Sequence, residues 1–244
     1  MNGLLEEVTK HVAFVLEFLA VIIALFVVAW LLEKLAQKKR GVREPVFDTR
    51  KVAMIGMFSA IAMILMLFEF PVPFAPPFYE LDFSELPILV GTFAFGPAAG
   101  VMMEFVKILL KLCVKGTSTA FVGDLANFVV GCSFIVPASV IYAFRKSKKS
   151  AIVACITGTV SLTLFGTVFN AVYLLPAFSK LYGMSMDTIL AAGMEVNPFV
   201  TEGNIVSFVA ACVAPLNLIK GSGVSIITLL IYKRLSPIIK SGHK

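Results

Sequence analysis

Asn217 and Lys220 lie three residues apart in PLNLIKG, inside a long apolar run, and Asn170 lies inside another, TVFNAVYLLP. A spacing of three puts two side chains on one helical face. An asparagine presents a donor and an acceptor together, which matches an imide or amide edge, and a lysine adds three donors. Such groups are costly in hydrocarbon, by roughly 2.5–3.5 kcal/mol for a central charge on insertion scales, so each needs a partner or a wet cavity. On facing helices the three can cradle a polar, ring-shaped ligand. They also fit as interhelical glue, with Lys220 neutralised by an acid such as Asp124. Binding is the reading carried forward.

Other polar sets have blander expectations. Glu104, Lys107 and Lys111 share a face, which predicts an internal ion pair with Lys111 snorkelling outward. GTSTAFVGDLANF places small hydroxyl residues, Thr117 among them, before a helix start, with Asp124 near its N-terminus and Asn127 one turn further in. Turn chemistry explains this segment, and so do hydroxyl contacts to a polyol. Gly56 and Ala60 in VAMIGMFSAIAM form a small-xxx-small face that permits close helix approach in lipid.

Catalysis finds little material. The two histidines, His11 and His243, lie near the ends, so no histidine-acid-nucleophile set can form in the core. GxxxxGK[ST], HExxH and GxSxG are absent. Cys113, Cys132, Cys155 and Cys212 stand alone, with no CxxC, so neither a metal site nor a redox pair is expected. The expectation is a non-enzyme without a cofactor.

The elements that must hold these residues are membrane helices. The chain has 244 residues, 59% hydrophobic and 15% charged, in continuous apolar runs. Continuous runs indicate a helical membrane protein rather than a barrel. The formal charge of +6 does not point to nucleic acid, because the basic residues cluster at the ends of apolar runs. The threading gives seven spans: about 11–32, 52–70, a short 86–95, 98–114 after the FGPAAG break, 125–144, 151–176 and 204–232. The corresponding regions are an N-terminal transmembrane helix (1–33), a cytoplasmic basic linker (34–51), a six-helix core (52–235) and a cytoplasmic tail (236–244). Lysines and arginines concentrate in 34–51, 145–149 and 233–244, and acids on the other side, which sets the N-terminus outside and the C-terminus in the cytoplasm. A longer polar loop is expected over 177–203.

FYELDFSELPILVGTFAFGPAAGVMMEFVKILLK, GTSTAFVGDLANFVVG, FNAVYLLP and PLNLIKG together resemble the riboflavin-specific RibU family, the substrate-binding S components of energy-coupling-factor vitamin transporters. The resemblance covers about 51–235, and the LDFSELP and NxxK segments are its more specific parts. It implies an all-α membrane protein of the bacterial plasma membrane, a six-helix core plus one extra N-terminal helix. It implies a pocket open to the outside that takes riboflavin, and no catalysis. It also implies a transmembrane coupling subunit and two cytosolic ATPases as partners, with toppling in the membrane to release the vitamin inward. Asn170, Asn217 and Lys220 match flavin-contacting positions; Tyr79, Asp82 and Phe83 match the outer loop that covers the ligand; Gly56 and Ala60 match the docking face.

The segment PFAPPFYELDFSELP then becomes a cap. Phe78, Tyr79 and Phe83 are expected to enclose the flat ring, and the asparagines and lysine to meet its polar edge. The leading helix and the long 177–203 segment depart from the family's pattern, and Asp124 stands where a glutamate is expected. The same architecture with a flavin nucleotide or another vitamin remains an alternative; a phosphate would call on Lys111, Lys115 and Lys180. From other classes, an ion-driven transporter would need an acid-rich relay or inverted repeats, and a membrane scaffold would need no ligand.

Overall fold

The computed structural model describes residues 12–42 and 44–241. Helix α1 (Val12–Arg40) ends on Lys38, Lys39 and Arg40, cations that favour a helix C-terminus. Gly41 follows with φ +68, and Val42 N donates to Gln37 O while Gly41 N donates to Lys38 O, a Schellman closure. Residues 34–40 of the expected linker are therefore helical. Helix α2 (Thr49–Leu67) is capped by Asp48, whose carboxylate accepts from Lys51 N at 2.7 Å. The strands β1 (Phe70–Pro71) and β2 (Glu80–Leu81) pair antiparallel, Phe70 with Leu81 and Pro71 with Glu80. This two-residue ladder closes the proline-rich segment into a loop.

Helices α3 (Glu85–Phe95) and α4 (Pro97–Val114) meet at Gly96, the expected break. Gly96 has φ +101, and a Cβ there would lie 2.7 Å from Glu33 Oε2. That carboxylate accepts from Ala98 N at 3.0 Å, so a side chain of α1 caps the start of α4. Phe18, Ile22 and Ala29 of α1 continue the contact onto Val101, Ile108 and Phe128. Helix α5 (Val122–Phe144) follows, then α6 (Lys148–Phe169), capped by Ser147. The two pack closely at Gly158, where a Cβ would lie 2.9 Å from Phe134 O. After α6 come a π turn (Asn170–Leu174), α7 (Leu175–Tyr182), α8 (Met186–Val196), α9 (Ile205–Phe208), a second π turn (Val209–Val213) and α10 (Ala214–Ser241). Asn204, expected to begin the last span, caps α9 through bonds from Val206 N and Ser207 N.

Five stretches among the described residues are long and apolar enough to cross a membrane: Phe14–Arg40, Thr49–Leu67, Val122–Phe144, Lys148–Tyr182 and Ile205–Ile231. The chain is a multi-pass helical membrane protein. Length and composition do not reach the expected seven, because α3 has 11 residues and α4 carries Glu104, Lys107 and Lys111. Glu104 and Lys107 are buried inside the bundle, and Lys111 is paired with the buried Asp124, rather than presented to lipid.

Candidate functional site

Two prolines shape the site. Pro176 and Pro215 lack the N–H that would serve the carbonyls of Val172 and Ala211 four residues back. Both helices widen just before them: Leu175 N reaches back five residues to Asn170 O, and Ala214 N to Val209 O. Such π turns recur at functional positions in helices. The carbonyl of Ala211 accepts instead from Asn197 Nδ2 at 3.0 Å, and the same amide nitrogen donates to Phe74 O at 3.0 Å. Asn197 Oδ1 accepts from Phe199 N. One buried side chain thus pins the 186–203 segment to both the cap and the last helix. The expected polar loop over 177–203 is largely helical, and Ile189, Leu190 and Val200 pack with Val72, Ala75 and Leu81 of the cap region.

Asn170 opens the first π turn. Its Nδ2 donates to Gly166 O at 2.8 Å, and its Oδ1 accepts from Tyr79 Oη at 2.9 Å. Asn217 faces the same glycine: a Cβ on Gly166 would lie 2.6 Å from Asn217 Nδ2. The bare Cα of Gly166 admits one asparagine while its carbonyl holds the other. Asn217 is 6% exposed and its Nδ2 has no hydrogen-bond partner within the protein. Native structures rarely leave a buried donor unpaired.

One turn beyond Asn217, Lys220 Nζ donates to Asp82 Oδ2 at 2.8 Å and lies 2.9 Å from Glu85 Oε2. Its neutralising acids are therefore these two and not Asp124. Asp82 Oδ1 accepts from Ser84 N at 2.7 Å. Glu85 Oε1 is 3.3 Å from Lys107 Nζ, which lies 2.7 Å from Glu104 Oε2 and donates to Ser84 Oγ at 3.2 Å. The expected Glu104–Lys107 pair is present and extends into a chain of five charges. Phe83 packs against α10 at Gly223, 3.3 Å from where a Cβ would stand. The structure thus gathers Tyr79, Asp82 and Phe83 from the cap around Asn170, Asn217 and Lys220. Phe78, expected to enclose the ring with them, is instead 51% exposed and packs at a tilt against Tyr79.

Thr117 and Asn127 belong to a different cluster. Thr117 Oγ1 donates to Asp124 Oδ2 at 2.8 Å, and Asp124 Oδ1 accepts from Lys111 Nζ at 2.7 Å. Lys111 does not snorkel outward as expected, because Asp124 supplies a buried counter-charge. Asn127 Oδ1 is buried with no partner in the protein. Among the described residues, no hydrogen bond links this cluster to Asn170, Asn217 or Lys220. Gly56 is exposed with open space over its Cα, and Ala60 is half-buried. A groove of about 690 Å³ opens beside the cap, lined by Phe74, Asn197, Phe199, Ala211 and Pro215. It does not include Asn170, Asn217 or Lys220, which lie beneath the cap.

Burial acts to raise the Asp82 carboxyl, but the Lys220 and Lys107 ammoniums and the bonds from Lys220 and Ser84 outweigh it and hold it down to about 2. Burial pushes the Tyr79 phenol up, so it stays a neutral donor to Asn170. A folded value below the ordinary 3.8 contributes stability that is complete above that value and lost as pH falls toward the folded one. The melting temperature of the wild type should therefore exceed that of Asp82→Asn by a constant margin from about pH 7 to about pH 5. The margin should shrink as pH falls from about 4 to about 2. A margin that grows on acidification would contradict the Asp82–Lys220 assignment.

Sequence reasoning missed Glu85, Asn197 and the two π turns. The signal for the turns was present as a proline late in each of two apolar helices. Glu85 was hidden because its partners come from α4 and α10, far apart in the chain.

A family model, "ECF transporter, substrate-specific component", matches residues 50–232. The "Riboflavin transporter RibU" of Staphylococcus aureus (strain TCH60) is 37% identical over 193 residues, covering 79% of this chain and 94% of that protein. The "Riboflavin transporter FmnP" of Bacillus subtilis (strain 168) is 30% identical over 198 residues, covering 80% and 97%. A solved structure, described as "Structure and mechanism of the S component of a bacterial ECF transporter", superposes with a TM-score of 0.59. It is 36% identical and covers 78% of this chain and 98% of its own. All of α1 precedes the region matched by the family model.

Proposed function

The chain belongs to the substrate-specific components of ECF transporters, and on that premise we propose that it is the riboflavin-binding subunit of an ATP-driven vitamin importer. Relatives named as riboflavin transporters support the ligand. The observation that carries the reading is the buried, unpartnered Nδ2 of Asn217, one turn from Lys220 and beside Asn170 across Gly166. These groups match the hydrogen-bonding edge of a flavin, and the apolar cap suits its ring. Riboflavin fits better than a flavin nucleotide, because Lys111 is engaged by Asp124 and Lys115 by Glu69. Two of the three cations that a phosphate would call on are thereby paired with acids, and the third, Lys180, is an exposed residue of α7.

Capture occurs on the outer side beneath the 71–85 cap, with the N-terminus outside and the C-terminus in the cytoplasm. Tyr79, Asp82 and Phe83 close over the ligand; Thr117 and Asn127 sit in the neighbouring cluster, where a ribityl chain would need hydroxyl and amide partners. The partners are a transmembrane coupling subunit and two cytosolic ATPases, docked on the open face at Gly56 and Ala60. Co-purification with those subunits tests the docking. Mass spectrometry of the small molecule that copurifies with the protein tests the ligand. Asn217→Ala breaks no ion pair. It should weaken riboflavin binding at least about tenfold, about 1.4 kcal/mol, with the melting temperature retained. Unchanged affinity in a fluorescence titration would remove Asn217 from the site.

A further inference from the structure

A lysine ammonium on a flexible four-carbon stem orients a ligand poorly unless something holds it. Lys220 is held twice, by Asp82 at 2.8 Å and by Glu85 at 2.9 Å. Asp82 accepts a hydrogen bond from the ammonium and the Glu85 carboxylate sits beside it as an ion-pair partner, which together restrict the directions left to its other N–H groups. Glu85 is fixed in turn, because its other oxygen lies 3.3 Å from Lys107, which is itself 2.7 Å from Glu104. The side chains of Glu85, Glu104 and Lys107 are at most 3% exposed. The two carboxylate oxygens of Glu85 therefore serve lysines on two different helices, α4 and α10.

Stability does not account for this arrangement. Buried ion clusters are often matched or surpassed in stability by apolar residues of similar volume. A carboxylate divided between two helices does give one thing that apolar packing cannot, a defined direction for a charged donor before the ligand arrives. We propose that Glu85 is a positioning residue for ligand capture: it ties Lys220 to the Lys107–Glu104 pair and aims the remaining Lys220 donor into the space under the cap. The proposal rests on the reading of Lys220 as a ligand donor.

The test is riboflavin titration of the full-length protein, read by both affinity and the absorption spectrum of the bound flavin. Glu85→Gln keeps the side-chain length but leaves one of the two lysines without its acceptor. It should weaken binding about tenfold and shift the bound spectrum toward that of flavin in water, with the melting curve little changed. If Glu85→Gln does not fold, Glu85→Asp is read instead, since its carboxylate is one methylene too short to reach both ammoniums. Affinity and spectrum unchanged in the folded variant overturn the proposal. So does an affinity loss with an unchanged spectrum, which marks a purely structural role. Asn217→Ala, run alongside, separates the two readings. If it weakens binding while the Glu85 variant does not, positioning alone falls; if neither matters, the binding site itself is misplaced.

Discussion

Lys107→Met should destabilise the protein by about 3–5 kcal/mol, the usual cost of leaving buried charge uncompensated. Lys107 is fully buried and faces both Glu104, at 2.7 Å, and Glu85, at 3.3 Å. Methionine fills similar space, so lost volume contributes little and the loss is electrostatic. Glu104 feels the change more, because neither of its oxygens accepts a hydrogen bond and Lys107 is the cation it pairs with. The companion variant Lys107→Met with Glu104→Met removes a charge of each sign and should recover most of the loss, since an apolar pair can replace a buried ion pair. Thermal melting in detergent for the two variants decides the matter. A single variant that melts with the wild type would mean that water or lipid headgroups reach Glu104.

Lys220→Ala should produce two separable losses. Affinity for riboflavin should fall at least about tenfold, or about 1.4 kcal/mol, because a donor under the cap is gone. Stability should also fall, because Asp82 keeps only the bond from Ser84 N and Glu85 keeps only Lys107. Adding Asp82→Asn removes the orphaned charge, so the melting temperature should rise again while the affinity stays low. Titration and melting of the single and double variants make the comparison. If Asp82→Asn restores both properties, Lys220 serves only to fasten the cap and does not meet the ligand.

Much of this arrangement is legible in the chain itself. The apolar runs predict the long helices, FGPAAG predicts the break at Gly96, and PLNLIKG places Asn217 and Lys220 on one face. The proline-rich segment does fold over them, because its apolar residues Val72, Ala75 and Leu81 have a buried surface to meet on Phe208, Val209 and Leu216. What the sequence conceals is pairing across distance. Periodicity within one helix identifies Glu104 with Lys107, but nothing local says that Glu85, eighteen residues beyond the end of α2 and just past the β1–β2 loop, will stand between two lysines. Lys111 illustrates the same point, since its partner Asp124 lies across a turn with strained backbone at Ala120 and Phe121. Span counting fails at α4 for a related reason: hydropathy penalises charges that tertiary structure has already neutralised.

The widened turn at Val209–Val213 carries a lesson about how this protein can change. Each residue of a helix advances the chain by about 100°, and a π turn holds one residue more than a plain α-helix requires. Asn217 and Lys220 owe their orientation relative to Ile205–Phe208 to that surplus residue. Exchange of Pro215 that let the π turn tighten to a plain α-helix, with the residue count kept, would swing both side chains about a quarter turn without altering either one. Ligand preference in such a scaffold can therefore evolve through a proline that lies outside the Asn170, Asn217 and Lys220 set, and a comparison confined to those three side chains would overlook the event.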